Sequence, residues 1–195
     1  MGAVVRRLLA LWLAGVFAVH AAAQAVDAKP ANQSVKASTT LNANGERVVR
    51  VETTLATSPE ATWAWFATEP GLSCWAAPLV KLDLRSGGSL QTNYDKAAGI
   101  GGPGTITLGI LNVVDAELLT FKVRLTEAFP AALRAQDERL QEVIQLQRLP
   151  NGGTRVVSTM VGWGTGPEWD KLLGFFVKGN EWSYRKLAEC VAKGP

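Results

Sequence analysis

The run EWDKLLGFFVKGNEWSYRKLAECV, from Glu168 to Val191, decides the fold. Trp169, Leu173, Phe176, Asn180, Ser183, Leu187 and Cys190 recur at steps of three and four, so they share one face of a long helix. The middle of that face is small and polar, with Asn180 and Ser183 in line and Gly179 beside them. A helix packed tightly on a sheet carries larger apolar groups there. The stripe therefore predicts one of two things: open space under the helix, as a ligand cavity requires, or a helix end that turns these residues to solvent.

Upstream of this helix the period changes from helical to alternating. Val49, Val51, Thr53 and Leu55 share one face of a strand over Arg47–Leu55. Ser58-Pro59-Glu60 reads as a helix start, with Ser as N-cap and Pro at the first helical position. Pro70-Gly71 is expected to break that helix, leaving a second short one over Leu72–Ala76. Strands follow through Val80–Leu84 and Leu90–Thr92, joined by the tight turn Gly87-Gly88. The glycine-rich loop Gly99–Gly104 leads into Thr105–Val114, and Leu119–Thr126 alternates again. Ala128–Asp137 reads as a longer connection with a helical turn. Glu138–Leu149 and Thr154–Trp163 complete the strands, with Asn151-Gly152-Gly153 as the hairpin turn between them.

The amino terminus reads as a targeting segment. Arg6 and Arg7 precede an apolar run from Leu8 to Val19, and Ala21-Ala22-Ala23 and Ala23-Gln24-Ala25 both fit a small-residue cleavage pattern. A bilayer span needs roughly 20 apolar residues, which this run does not reach. The expected organisation is a signal peptide over 1–23, a polar, flexible lead-in over 24–45, and one domain over 46–193. The expected location is periplasmic or secreted, with no transmembrane segment once the signal is removed.

That cut changes the composition argument. The chain has 195 residues, 47% apolar and 19% charged, with a net charge of +3 and one His. The first 25 residues hold two Arg and no acid, so cleavage leaves a net charge of +1. With no long basic run left, nucleic acid is not an expected partner. His20 leaves with the signal, so the mature chain holds no imidazole. Ser-His-Asp and Cys-His catalysis and the common zinc centres all need one. Neither a cofactor nor a metal is expected. Cys74 and Cys190 are an even pair in an oxidising compartment, and they read equally well as a disulfide or as two buried thiols.

The order of strand, two short helices, about six antiparallel strands and one long C-terminal helix resembles the helix-grip fold of the SRPBCC (START and birch-pollen-allergen-like) superfamily. The nearest branch is the one named for the C-terminal domain of the Hsp-ninety ATPase activator. Ser58-Pro59-Glu60-Ala61-Thr62-Trp63, Leu72-Ser73-Cys74-Trp75, Asp83-Leu84-Arg85-Ser86-Gly87-Gly88 and Gly104-Thr105-Ile106 carry the resemblance in its first half. Leu118-Leu119-Thr120-Phe121, Gly152-Gly153-Thr154-Arg155-Val156 and Trp169, Phe176, Gly179, Trp182 and Leu187 carry it in the second. The likeness spans about residues 47–191. It implies an α+β fold in which a curved antiparallel sheet of about six to seven strands wraps the long helix around a cavity.

The residues expected to line that cavity are Trp75, Tyr94, Phe121, Ile144, Trp163, Trp169, Phe176 and Asn180; each aromatic among them serves equally as plain core. The first functional expectation is an exported protein holding a small apolar or amphipathic ligand. A second is a cyclase or hydratase whose acid/base work falls to Tyr94, Asp95 or Glu142. A third is an envelope interaction module using an exposed face. The longer connection over Ala128–Asp137 and the export signal are departures from the branch.

Overall fold

The computed structural model describes residues 34–194, so the expected signal segment lies outside the described residues. Eight strands form one antiparallel sheet: β1 (Lys36–Leu41), β2 (Arg47–Leu55), β3 (Leu79–Asp83), β4 (Ser89–Asn93), β5 (Ile106–Val114), β6 (Leu118–Lys122), β7 (Gln141–Arg148) and β8 (Thr154–Val161). Four helices accompany them: α1 (Pro59–Ala67), α2 (Glu69–Trp75), α3 (Ala131–Arg134) and α4 (Pro167–Lys193). The spatial order is β1-β2-β8-β7-β6-β5-β4-β3. Consecutive strands from β3 to β8 therefore meander, while β2 returns to pair with the last strand. The α1–α2 pair carries the chain from one side of the sheet to the other.

The sheet has one strand more than the pattern predicted. Residues 36–41, read as flexible lead-in, form β1 and pair with β2 from Lys36↔Glu52 to Leu41↔Arg47. Five of those six residues are exposed. An exposed edge strand held by its backbone ladder need not show inward apolar alternation; the signals available were Thr39-Thr40 and the Asn44-Gly45 turn before β2.

The α1 start agrees with its reading: Ser58 accepts from the Ala61 amide and Pro59 opens the helix. The α2 start does not. Pro70-Gly71 does not break a helix; it lies in the first turn of α2, whose N-cap is Thr68, accepting from the Gly71 amide at 3.1 Å. Proline is as well suited to opening a helix as to ending one, and here the cap three residues before Gly71 decides.

Inward faces follow the two-residue period. Val49, Val51 and Leu55 of β2, Leu119 and Phe121 of β6, Ile144 and Leu146 of β7, and Val156 and Met160 of β8 are all buried toward α4. They sort into two clusters. One lies under α1, α2 and the C-terminal half of α4. The other gathers Val123, Leu125, Leu133, Leu140, Trp163, Trp169 and Leu172 at the N-terminal end of α4.

The long connection after β6 is pinned back by Asp137. This buried carboxylate accepts from the Leu125 amide at 2.7 Å and from Arg124 at 2.5 Å. Gly162 closes the same region: its φ is +86°, and a Cβ there would sit 1.8 Å from the Arg139 carbonyl oxygen. Cys74 of α2 and Cys190 of α4 form a disulfide that closes a loop of 116 positions. The tie holds α2 against the last turns of α4.

Candidate functional site

The inward residues of β4 to β8 are mostly large and apolar, yet α4 does not press against all of them. Gly179, Asn180 and Ser183 occupy the middle of the helix, and between them and the sheet lies a cavity of about 570 Å³. A Cβ built on Gly179 would meet nothing within 4 Å. Gly179 itself is exposed, while Asn180 and Ser183 are half-buried and line the cavity, so the stripe leaves space beneath the helix and also reaches solvent along one side.

The walls come from every layer. The sheet supplies Leu90, Ile106, Leu108, Leu119, Phe121 and Ile144. Phe66, Leu72 and Trp75 of α1 and α2 close one end. Trp75 is fixed by an indole hydrogen bond to the Trp65 carbonyl at 2.8 Å and by edge contacts with Phe66 and Tyr184. Phe176 borders the other end, against Phe129 and Trp163. The cavity opens past Tyr94, Phe175 and Trp182, which are 59%, 60% and 54% exposed although they also line it. Tyr94 is held at this rim by donating from its hydroxyl to the Ala76 carbonyl at 3.0 Å.

Six of the eight expected lining residues meet in this cavity: Trp75, Tyr94, Phe121, Ile144, Phe176 and Asn180. Trp163 and Trp169 do not line it. They pack edge to face with each other at 6.5 Å in the second core cluster, where the start of α4 meets the long connection. The Trp163 indole is used up locally, donating to the Met160 carbonyl at 3.1 Å. Periodicity assigned both to the correct side of the molecule. It does not resolve which layer along α4 is packed and which is open.

Of the three residues expected to serve acid/base chemistry, Asp95 lies outside the cavity. It is exposed and accepts from the Ala97 amide in the turn after β4. Tyr94 sits at the rim. Glu142 lines the interior.

The position of Glu142 follows from strand register. On β7 the inward set is Glu142, Ile144 and Leu146, and Glu142 lies between Phe121 of β6 and Met160 of β8. Ser158, on the same face of β8, donates its hydroxyl to Glu142 Oε1 at 2.6 Å. Burial pushes the Glu142 carboxyl above the ordinary carboxylate range, and the Ser158 bond opposes that only in part. No ion pair among the described residues reaches Glu142.

Tyr184 is the site residue that pattern reading missed. It stands one turn after Asn180, on the same side of α4, and its ring forms part of the cavity wall. Its hydroxyl is buried and has no hydrogen-bond partner. Burial raises the phenol well above its ordinary value, and the nearby Glu142 charge raises it further. The Ser158 hydroxyl lies close enough to offset a little of this but gives its hydrogen bond to Glu142. The i, i+4 step from Asn180 was the available signal; Ser183, one residue earlier, masked it.

This geometry can be set beside known structures. The X-ray structure of protein MLL2253 from Mesorhizobium loti superposes with a TM-score of 0.61 at 20% identity, over 76% of this chain and 99% of that one. CalU16 from Micromonospora echinospora gives 0.58 at 15% identity, over 82% and 75%. Protein NE0264 from Nitrosomonas europaea gives 0.54 at 20% identity, over 75% and 94%. The fold these structures share with this chain is an antiparallel sheet packed against a long C-terminal helix, a helix-grip arrangement. No family model and no curated protein matches the sequence. At these identities the likeness is one of architecture alone: a sheet packed against a long C-terminal helix.

Proposed function

We propose that this is an exported binding protein that holds one small apolar or amphipathic molecule between the sheet and α4. The observation that carries the reading is the cavity of about 570 Å³, walled by apolar side chains and open at an aromatic rim. Its size falls in the range of small-molecule sites, roughly 300–1,000 Å³. An apolar molecule entering it leaves water, and each Å² of apolar surface removed contributes about 25 cal/mol. Export is supported by the Cys74–Cys190 disulfide, a bond that persists in oxidising compartments, together with the signal pattern at the amino terminus.

Native mass spectrometry of protein purified from its own periplasm tests this reading. A bound organic species is expected. Repeated recovery of the bare chain would overturn it.

One observation favours a second reading. Glu142 is a carboxyl without a cationic partner inside an apolar cavity, the environment that suits a general acid or base. If it acts on the ligand, Glu142→Gln protein will carry a different molecule from the wild type, substrate in place of product. Recovery of the same molecule from both would leave binding alone.

A further inference from the structure

The cavity is not uniformly apolar, and its polar groups converge. Four titratable side chains line it: Tyr94, Arg124, Glu142 and Tyr184. Two of them are already engaged. Tyr94 donates to the Ala76 carbonyl at the exposed rim, and Arg124 is half exposed and paired with Asp137. Glu142 and Tyr184 remain, Tyr184 buried in the wall and Glu142 half-buried on the cavity face.

Their hydrogen-bonding capacity is unspent. Ser158 satisfies Glu142 Oε1 at 2.6 Å, while Oε2 has no partner among the described residues. The Tyr184 hydroxyl has none at all, although the residue is only 2% exposed. A third group beside them is poorly matched: the Asn180 amide donates to the thioether sulfur of Met160 at 3.2 Å. Sulfur is a weak acceptor. Met160 is the direct cross-strand neighbour of Glu142, and Asn180 is one helical turn before Tyr184. The three underused groups therefore belong to one patch of wall where β7 and β8 face α4.

Buried polar groups are almost always hydrogen-bonded, and leaving one unmade is unfavourable. Phenylalanine at 184 would complete an apolar lining at no such cost. A buried phenol with no partner, beside a carboxyl whose Ser158 bond engages only one oxygen, points to a partner that arrives with the ligand.

We propose that Glu142 and Tyr184 form a hydrogen-bonding pole that receives a single oxygen, carbonyl or hydroxyl, of an otherwise apolar ligand. Asn180 flanks the same oxygen. A ketone, phenol or alcohol on a rigid hydrocarbon body fits this arrangement; a plain hydrocarbon leaves the pole empty. The proposal rests on the cavity being a ligand site, and it adds which end of the ligand goes in and what that end carries.

The test uses two fluorescent probes of matched shape, 1-hydroxypyrene and 1-methylpyrene, titrated into the disulfide-bonded protein. One or two hydrogen bonds to the pole should make the hydroxyl probe bind roughly tenfold more tightly. Tyr184→Phe and Glu142→Leu should each remove most of that preference and leave 1-methylpyrene affinity within about twofold. Tyr184→Phe deletes only an unpartnered hydroxyl, so its thermal midpoint should match or exceed the wild type, which separates loss of recognition from loss of fold. Equal affinity for both probes in the wild type, or a preference that survives both substitutions, overturns the pole and leaves the cavity reading standing. Failure of both probes to bind overturns the cavity reading as well.

Discussion

Replacing Cys74 and Cys190 together with alanine removes the one covalent tie between α2 and α4. The bond closes 116 positions, so in the unfolded chain it restricts a loop that covers most of the domain. The chain-entropy relation for that loop length gives about 4.8 kcal/mol at 25 °C, and native disulfides of secreted domains contribute about 2–5 kcal/mol when measured. A domain of this size shifts its thermal midpoint by about 2–4 °C per kcal/mol, so a fall of roughly 5–20 °C is expected. Urea unfolding of the oxidised wild type and the double variant, read by tryptophan fluorescence, measures it directly. The variant should also bind 1-methylpyrene more weakly. Cys74 precedes Trp75, whose indole closes the cavity end, and the helix carrying both is only 7 residues long. A difference below about 1 kcal/mol, with the bond verified in the wild type, would refute the entropic argument. Free thiols in protein recovered from an oxidising compartment would refute the pairing itself.

Three further outcomes follow from individual contacts. Glu142 has its carboxyl raised by burial, so as pH climbs past the ordinary value of 4.5 the unfolded chain releases a proton that the folded chain keeps. Wild-type stability should therefore fall relative to Glu142→Gln by about 1.4 kcal/mol per pH unit until the folded carboxyl ionises, then level off; urea midpoints between pH 4 and 8 that run parallel would contradict this. Gly162→Ala drives a Cβ into the Arg139 carbonyl and holds alanine at a positive φ, so a loss of more than about 2 kcal/mol is expected from thermal unfolding. Asp137→Ala orphans the buried Leu125 amide and frees Arg124, with an expected loss of about 2–4 kcal/mol and faster hydrogen exchange over residues 123–140.

The fold was legible in the sequence where one face of an element is apolar. The alternation through Leu119 and Phe121, through Ile144 and Leu146, and the three-four stripe of α4 are direct consequences of burial on one side, and each element is present, although β6 ends at Lys122 rather than Thr126 and β7 starts at Gln141 rather than Glu138, where a 3-10 turn over Asp137–Arg139 stands instead. Strand β1 carries no apolar alternation because an exposed edge strand needs only its backbone to pair; its one strong signal was the Asn44-Gly45 turn that joins it to β2. Within the site, Glu142 was legible as a carboxylate on the inward face of an apolar strand. Tyr184 was not, because a tyrosine beside a small-residue stripe looks the same whether its hydroxyl reaches water or is sealed in a wall. Trp163 and Trp169 were assigned to the cavity for a related reason. Aromatic residues on an inward face serve core and cavity alike, and only the depth along α4, set by the connection over 123–140, separates them.

Gly179 offers the most direct test of the central claim that the space under α4 holds a ligand. Gly179 is exposed where it borders the cavity and a Cβ there meets nothing within 4 Å, so Gly179→Phe introduces a ring at the cavity mouth without a backbone clash. Replacing a mid-helix glycine also favours the helix, by a few tenths of a kcal/mol for phenylalanine. The measurement is a titration of 1-methylpyrene into wild type and Gly179→Phe, with thermal midpoints taken on the same samples. The wild type should bind one probe per chain, and the filled variant should bind at least tenfold more weakly while melting at the same or a higher temperature. No saturable binding by the wild type, or undiminished binding by a stable Gly179→Phe protein whose new ring shows NOE contacts to the cavity wall, would contradict the account.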